Sequence, residues 1–310
     1  MAGAERGPSG RESGRPGCDS GAASQVRPGA VILGCGSGGG GASVRPLRTE
    51  EGIAVLVMPE RRTSTMELLA VAAAGRGMPV RAAEEPGLTG PAHWYGGPLA
   101  GARLAPRLGF ALLEPTDDWL AELPEEFTGR QVRAGTIADA WAIDRPTFVK
   151  PPRDKTFPAE VHTDGSRLPG TLDPATPVLL SEVVTFAAEY RLFLLDGRIA
   201  TASRYAVFGR LDPAPLGPDR PGRTIAAEIT EFTDRLLTSA GPTLPSAVVV
   251  DVGQLLDPYR PGHRWAVVEA NMAWFSHAYA ADPARVLDVV LRAAGPRECL
   301  RPRDLAFERE

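Results

Sequence analysis

The chain has 310 residues, enough for one large or two modest domains with a buried core, and its 43% hydrophobic and 23% charged content is ordinary for a soluble globular protein. A formal net charge of −4 argues against a nucleic-acid scaffold, and no apolar run approaches the ~20 residues that cross a bilayer. The N-terminus lacks a basic-then-apolar leader, so a cytoplasmic protein without a membrane partner is expected, and Cys18, Cys35 and Cys299 have no zinc-ligand spacing.

In chain order, residues 1–45 hold 13 of the 34 glycines and few large apolar residues, a composition that cannot bury a core and predicts a disordered extension. Its run Val31–Gly39 imitates a strand entering a dinucleotide-binding glycine turn, but Gly40, Gly41 and Pro46 follow where a helix would have to begin. Residues 46–135 read as a small α/β domain, with strands at Ile53–Met58 and Met78–Ala82 and helices near 63–75, 98–108 and 119–123. His93, Trp94 and Tyr95 are expected on a loop, lining a cleft or packed on the sheet edge. From 136 to 298 the pattern becomes α+β. Strands are predicted at Thr147–Lys150, Val178–Val183, Tyr190–Leu195, Arg198–Tyr205, Val248–Leu255 and Trp265–Glu269, and helices at Thr136–Ile143, Thr224–Ser239 and Pro283–Ala294. Asp196-Gly197 marks a hairpin, the Pro- and Gly-rich stretch 209–223 a loop, and 299–310 a C-terminal tail.

Of the 34 basic residues, only Lys150 and Lys155 are lysine; the rest are arginine. So strong a skew suggests a genome that favours arginine codons, and a lysine that survives it is a candidate for a site needing a compact ammonium rather than a planar fork. Both stand in TFVKPPRDKTF, residues 147–157, on a strand and the turn after it, where two ammonium groups can converge on one polyphosphate. Glu182 ends one predicted strand and Glu189 begins the next. VVVDVG, residues 248–253, presents Asp251, while WAVVEAN, residues 265–271, presents Glu269 and Asn271 two positions apart and so on one strand face. A carboxylate ending an apolar run is costly unless its charge is compensated. A cation would compensate it, and Asp251, Glu269 and Asn271 offer the oxygen ligands that Mg²⁺ prefers.

In this order the four segments resemble the ATP-grasp superfamily over about residues 140–295, and look most similar to the bacterial branch related to the eukaryotic factor that assembles translation initiation factor 2. The resemblance implies an ATP-grasp fold: two α+β subdomains clasping ATP over 136–298, preceded by the α/β domain at 46–135 and the disordered extension at 1–45. It places ATP phosphates on Lys150 and Lys155, adenine at Glu182, Val183 and Val184, ribose on Glu189, and Mg²⁺ on Asp251, Glu269 and Asn271. Arg191 and Arg204, facing each other across the Asp196-Gly197 hairpin, are the candidates for the γ-phosphate or an acyl phosphate. The glycine-rich lid usual between the two nucleotide-binding stretches is replaced by TFPAEVHTDGSRLPG, residues 156–170, read here as a mobile loop carrying His162. The activity implied is a ligase that phosphorylates a carboxylate for attack by an amine, acting on a small molecule or a peptide or protein. The alternative is an ATP-dependent binding or assembly factor that performs no ligation.

Overall fold

A computed structural model describes residues 48–49, 52–153, 156–216, 224–257 and 262–309. The extension at 1–45, with its glycine run, and Lys155 lie outside the described residues. Strands β1 (Arg48–Thr49) and β2 (Gly52–Ile53) form a short antiparallel pair. Next, β3 (Val55–Met58), β4 (Val80–Ala82) and β5 (Ala92–Trp94) make a parallel sheet in the order β4-β3-β5. Helix α1 (Ser64–Gly75) crosses between β3 and β4, and the Thr63 hydroxyl caps it by accepting the Met66 N–H. Helix α2 (Pro98–Leu108) starts on a proline and ends at Gly109, whose φ of 65° suits a residue without Cβ.

The loop expected around His93 is strand β5, and none of its aromatic residues lines an open cleft. His93, Trp94 and Tyr95 are all buried, with Trp94 stacked on Phe110 at 6.1 Å. The reason is local: a Cβ on Gly101 would lie 2.7 Å from the Trp94 ring nitrogen, so the helix glycine makes the slot that the indole fills. Burial depresses the His93 imidazole to about 4, against the bond between its Nδ1 and the Leu291 carbonyl. An unfolded histidine titrates near 6.5, so between these values the unfolded chain binds the extra proton. Stability should therefore fall as pH drops from about 6.5 to about 4, by on the order of 3 kcal/mol in full, and be unaffected by this group above that window. Urea midpoints of wild type and His93→Gln across pH 4–7 check this: the difference between them should shrink with acidification.

Two short helices, α3 (Trp119–Glu122) and α4 (Glu125–Thr128), lead into β6 (Val132–Thr136), α5 (Ile137–Trp141), β7 (Thr147–Lys150), β8 (Glu160–His162) and β9 (Pro177–Ser181). These strands form an antiparallel sheet in the order β6-β9-β7-β8. The domain boundary expected at 135/136 falls within β6. The mobile loop expected over 156–170 is corrected in part: β8 pairs with β7, and His162 is buried on it opposite Thr147.

The third sheet, β12-β11-β10-β13-β14, is antiparallel throughout. It comprises β10 (Phe186–Leu195), β11 (Arg198–Val207), β12 (Arg210–Pro215), β13 (Ala247–Leu256) and β14 (His263–Asn271). Asp196 and Gly197 turn the β10–β11 hairpin with φ of 52° and 73°, the pair of positive values that a two-residue hairpin requires. Part of the loop expected at 209–223 is instead β12, whose Pro213 and Pro215 are tolerated because it is an edge strand. Strand alternation gives this sheet two covered faces. Tyr190, Leu192, Val250 and Val252 pack on α6 (Ile225–Ala240) through Ile229, Phe232 and Leu236. Phe193, Ala247 and Val249 pack on α7 (Pro283–Ala293) through Val286, Leu287 and Val290. The segment expected as a tail is built in: Asp304 is fully buried and accepts the Ser246 N–H and hydroxyl, both at 2.6 Å. No helix among the described residues is long and apolar enough to cross a membrane.

Candidate functional site

The face of the five-stranded sheet that α7 covers turns polar two residues further along each central strand. On β10, Arg191 and then Glu189 share the face of Phe193; on β13, Asp251 follows Val249. Arg191 and Asp251 are directly paired across the ladder, as are Asp251 and Glu269. The strands β10, β13 and β14 thereby place Glu189, Arg191, Asp251, Glu269 and Asn271 on one surface.

Their contacts form a connected network. The Arg191 guanidinium donates to both Asp251 oxygens, at 2.9 Å through Nε and 2.6 Å through Nη2. Asp251 is fully buried, and burial pushes its carboxyl up against the pull of Arg191. Burial also disfavours the Arg191 charge, but Asp251 more than restores it. Asn271 donates to Glu269 at 2.8 Å and, more weakly, to Asp251 at 3.4 Å. Lys150, at the end of β7 in the other sheet, forms an ion pair with Glu269. Although burial opposes it, the Lys150 ammonium and the Asn271 amide together bring the half-buried Glu269 carboxyl down to about 2. Glu189 accepts the Tyr205 hydroxyl at 2.7 Å, and burial raises its carboxyl.

Between the two sheets lies a cleft of about 230 Å³, room for a bicyclic base. Leu120, Val132, Phe148, Leu179, Phe186 and Val268 give it apolar walls, while Lys150, Glu269 and Glu189 stand at its polar end. Glu182, Val183 and Val184, the connection between β9 and β10, also line it. The Glu182 carboxylate accepts the Gln131 N–H at 2.9 Å, and the Glu182 N–H donates to the Gln131 carbonyl at 3.2 Å. That side chain therefore fixes the connection and leaves its backbone to edge the cleft.

Of the described residues expected in the site, the structure brings all but one together. Arg204 does not share a face with Arg191. It pairs with Tyr190 across the ladder, which is the α6 side, and donates to Asp212 at 2.8 Å. The cause is a bulge at Tyr205: Glu189 pairs with Ala206 and Tyr190 with Arg204, so the tyrosine is the extra residue and turns its ring to the site face. Arg204→Ala should accordingly leave the affinity for Mg-ATP within about twofold of wild type, since an exposed ion pair of this kind contributes little; a calorimetric loss above tenfold would return Arg204 to the site.

Three contributors carried no sequence signal. Arg130, next to β6, is buried beneath the cleft, donating to the Thr128 and Val267 carbonyls at 2.9 and 2.8 Å, and burial lowers its guanidinium to about 10. Arg153, in the turn after Lys150, bonds the buried Glu114 at 2.8 Å and also pairs with Asp117, tying that turn to the segment before α3. Tyr279, after β14, packs against Arg191 at 5.1 Å.

An oxygen-rich set fits a hard divalent cation. Asp251 and Glu269 offer carboxylates, and with the Asn271 nitrogen given to them its carbonyl oxygen remains as a ligand. Among the described residues no three His, Cys, Asp or Glu side chains meet at one point, so a cation here would draw on Asn271 and on phosphate oxygens.

Comparison with known proteins places the arrangement. No curated protein matches the chain. Among solved structures, a RimK-domain ATP-grasp protein from Sphaerobacter thermophilus is similar at 16% identity and TM-score 0.48, covering 77% of this chain and 100% of that one. D-alanine–D-alanine ligase from Bacillus anthracis, complexed with ATP, is similar at 10% identity and TM-score 0.45, covering 77% and 96%. Macrocyclase MdnC from Microcystis aeruginosa, bound with its precursor peptide MdnA, is similar at 12% identity and TM-score 0.39, covering 77% and 98%. The sequence profile of an ATP-grasp domain, the second family of its clade, matches residues 127–289, more than half of the chain and the whole of the network described above. The α+β architecture is thus the ATP-grasp fold, and the chain belongs to the ATP-grasp superfamily.

Proposed function

We propose that the protein is a Mg-ATP-dependent ligase that activates a carboxylate as an acyl phosphate and passes the acyl group to an amine. The observation that carries this reading is the ion pair between Lys150 of one sheet and Glu269 of the other, at the polar end of the cleft between them. A cation and an anion so placed are the two halves of a receptor for a metal–phosphate pair. In this reading the Glu182–Val184 connection holds adenine, Glu189 the ribose hydroxyls, and Lys150 the phosphates. Lys155, five residues on, is proposed for the same phosphates. Asp251, Glu269 and Asn271 would hold Mg²⁺, which when bound neutralises charge on the transferring phosphoryl group.

Arg191 would stabilise the charge that builds as the substrate carboxylate attacks the γ-phosphorus and ADP departs. The amine then displaces phosphate from the acyl carbon, forming the amide. An acceptor that is a small molecule or a peptide fits this chemistry equally, and kinship with the initiation-factor assembly branch rests on motif order alone. ADP release measured against pools of amino acids and peptides tests the proposal: stimulation that requires both a carboxylate and an amine supports ligation. Slow turnover that no pool stimulates would instead indicate the ATP-dependent assembly factor.

A further inference from the structure

The Arg191 guanidinium has five N–H donors, and the contacts among the described residues account for three of them. Nε and Nη2 serve Asp251, and Nη1 reaches the His277 carbonyl at 3.5 Å. Two N–H groups remain, one on each terminal nitrogen, and these form the parallel fork that binds anionic oxygens bidentately. Arg191 is only 9% exposed, so this fork is held in a nearly closed setting.

Its backing is aromatic. The guanidinium carbon lies 5.5 Å from the Tyr205 ring centroid and 5.1 Å from that of Tyr279, and the two rings stack on each other at 5.3 Å. Both tyrosines reach this position through irregular backbone. Tyr205 occupies the bulge in β11, and Tyr279 has φ of 51°, a left-handed conformation uncommon for an aromatic residue. Two separate departures from regular geometry converge on one guanidinium, and neither is needed for its bonds to Asp251. A cation spread over a ring face keeps its plane fixed while its edge stays available for hydrogen bonding.

We propose that Tyr279, with Tyr205, is a positioning residue that orients the Arg191 fork for the terminal phosphate of a nucleoside triphosphate. The aromatic pair then determines how well the site distinguishes a triphosphate from a diphosphate. This rests on the nucleotide reading given above.

Tyr279 is the cleaner probe, because Tyr205 also bonds Glu189. Glycine at position 279 relieves the backbone strain while removing the ring; phenylalanine keeps the ring. Calorimetry with Mg-ADP and with the non-hydrolysable Mg-AMPPNP, together with thermal melting, separates the outcomes. Wild type should bind Mg-AMPPNP more tightly than Mg-ADP. Tyr279→Gly should melt no lower than wild type and bind Mg-ADP within about threefold, yet lose about tenfold of that preference; Tyr279→Phe should keep it. Tyr279→Gly retaining the full preference would overturn the proposal. So would a Tyr279→Gly protein that melts lower and loses both nucleotides equally, because the tyrosine would then be only structural. Failure of wild type to bind either nucleotide would overturn the nucleotide reading itself.

Discussion

Substituting Asp251 by alanine is expected to lower folding stability by about 3–5 kcal/mol, measured as the shift in a urea unfolding transition. The substitution strands a guanidinium in a fully buried setting, and arginine cannot shed its charge at any pH where the protein is folded. Removing the other partner should cost less. In Arg191→Met the Asp251 carboxyl can take up a proton, its folded pKa rising well above that of the unfolded chain. The folded state then binds the extra proton, so this variant should gain stability as pH falls toward the unfolded value near 3.9. The double variant Arg191→Met/Asp251→Leu should recover to within about 1–2 kcal/mol of wild type, because a buried ion pair rarely outperforms well-packed apolar residues. A single Asp251→Ala variant as stable as wild type would mean that the pair is not buried as described. The pair is thus retained at a stability cost that an apolar core would avoid, which is expected of a functional group and not of a structural one.

Glu269→Ala is expected to weaken Mg-ATP binding at least a hundredfold, about 2.7 kcal/mol. The variant removes a proposed metal ligand and also frees Lys150 from its partner. Charge repulsion alone predicts the opposite sign, since deleting a carboxylate near a polyphosphate should tighten binding in the absence of metal. Titrating ATP with and without Mg²⁺ therefore distinguishes the roles: the loss should appear only with the metal present. Lys150→Arg should also bind poorly, by at least tenfold, because the planar fork does not fit where one ammonium contacts Glu269 and must contact a phosphate.

Much of this site was legible before any fold was known, for reasons that particular residues make plain. β13 and β14 are long apolar runs interrupted by Asp251, Glu269 and Asn271, and strand periodicity alone puts the last two on one face. Lys150 stood out because the chain holds so few lysines. What failed was register. Arg204 was expected beside Arg191 because both flank one hairpin, but a single bulged residue, Tyr205, turns the arginine to the opposite face. No local pattern announces such a bulge, since it is set by pairing with β10. β12 was hidden by its prolines, which only an edge position accommodates, and β8 by its three-residue length. Arg130 and Arg153 depend on contacts between segments far apart in sequence, Val267 with Arg130 and Glu114 with Arg153, which periodicity cannot reach.

The central claim is that the cleft between the two antiparallel sheets is a Mg-ATP site in which Lys150 and Glu269 exchange their mutual pairing for phosphate and metal. Calorimetric titration of Mg-ATP into wild type and Lys150→Ala tests it most directly. Saturable one-to-one binding by wild type, lost at least a hundredfold in Lys150→Ala while the melting temperature is retained, is the predicted result. Equal affinity in the two proteins would contradict it.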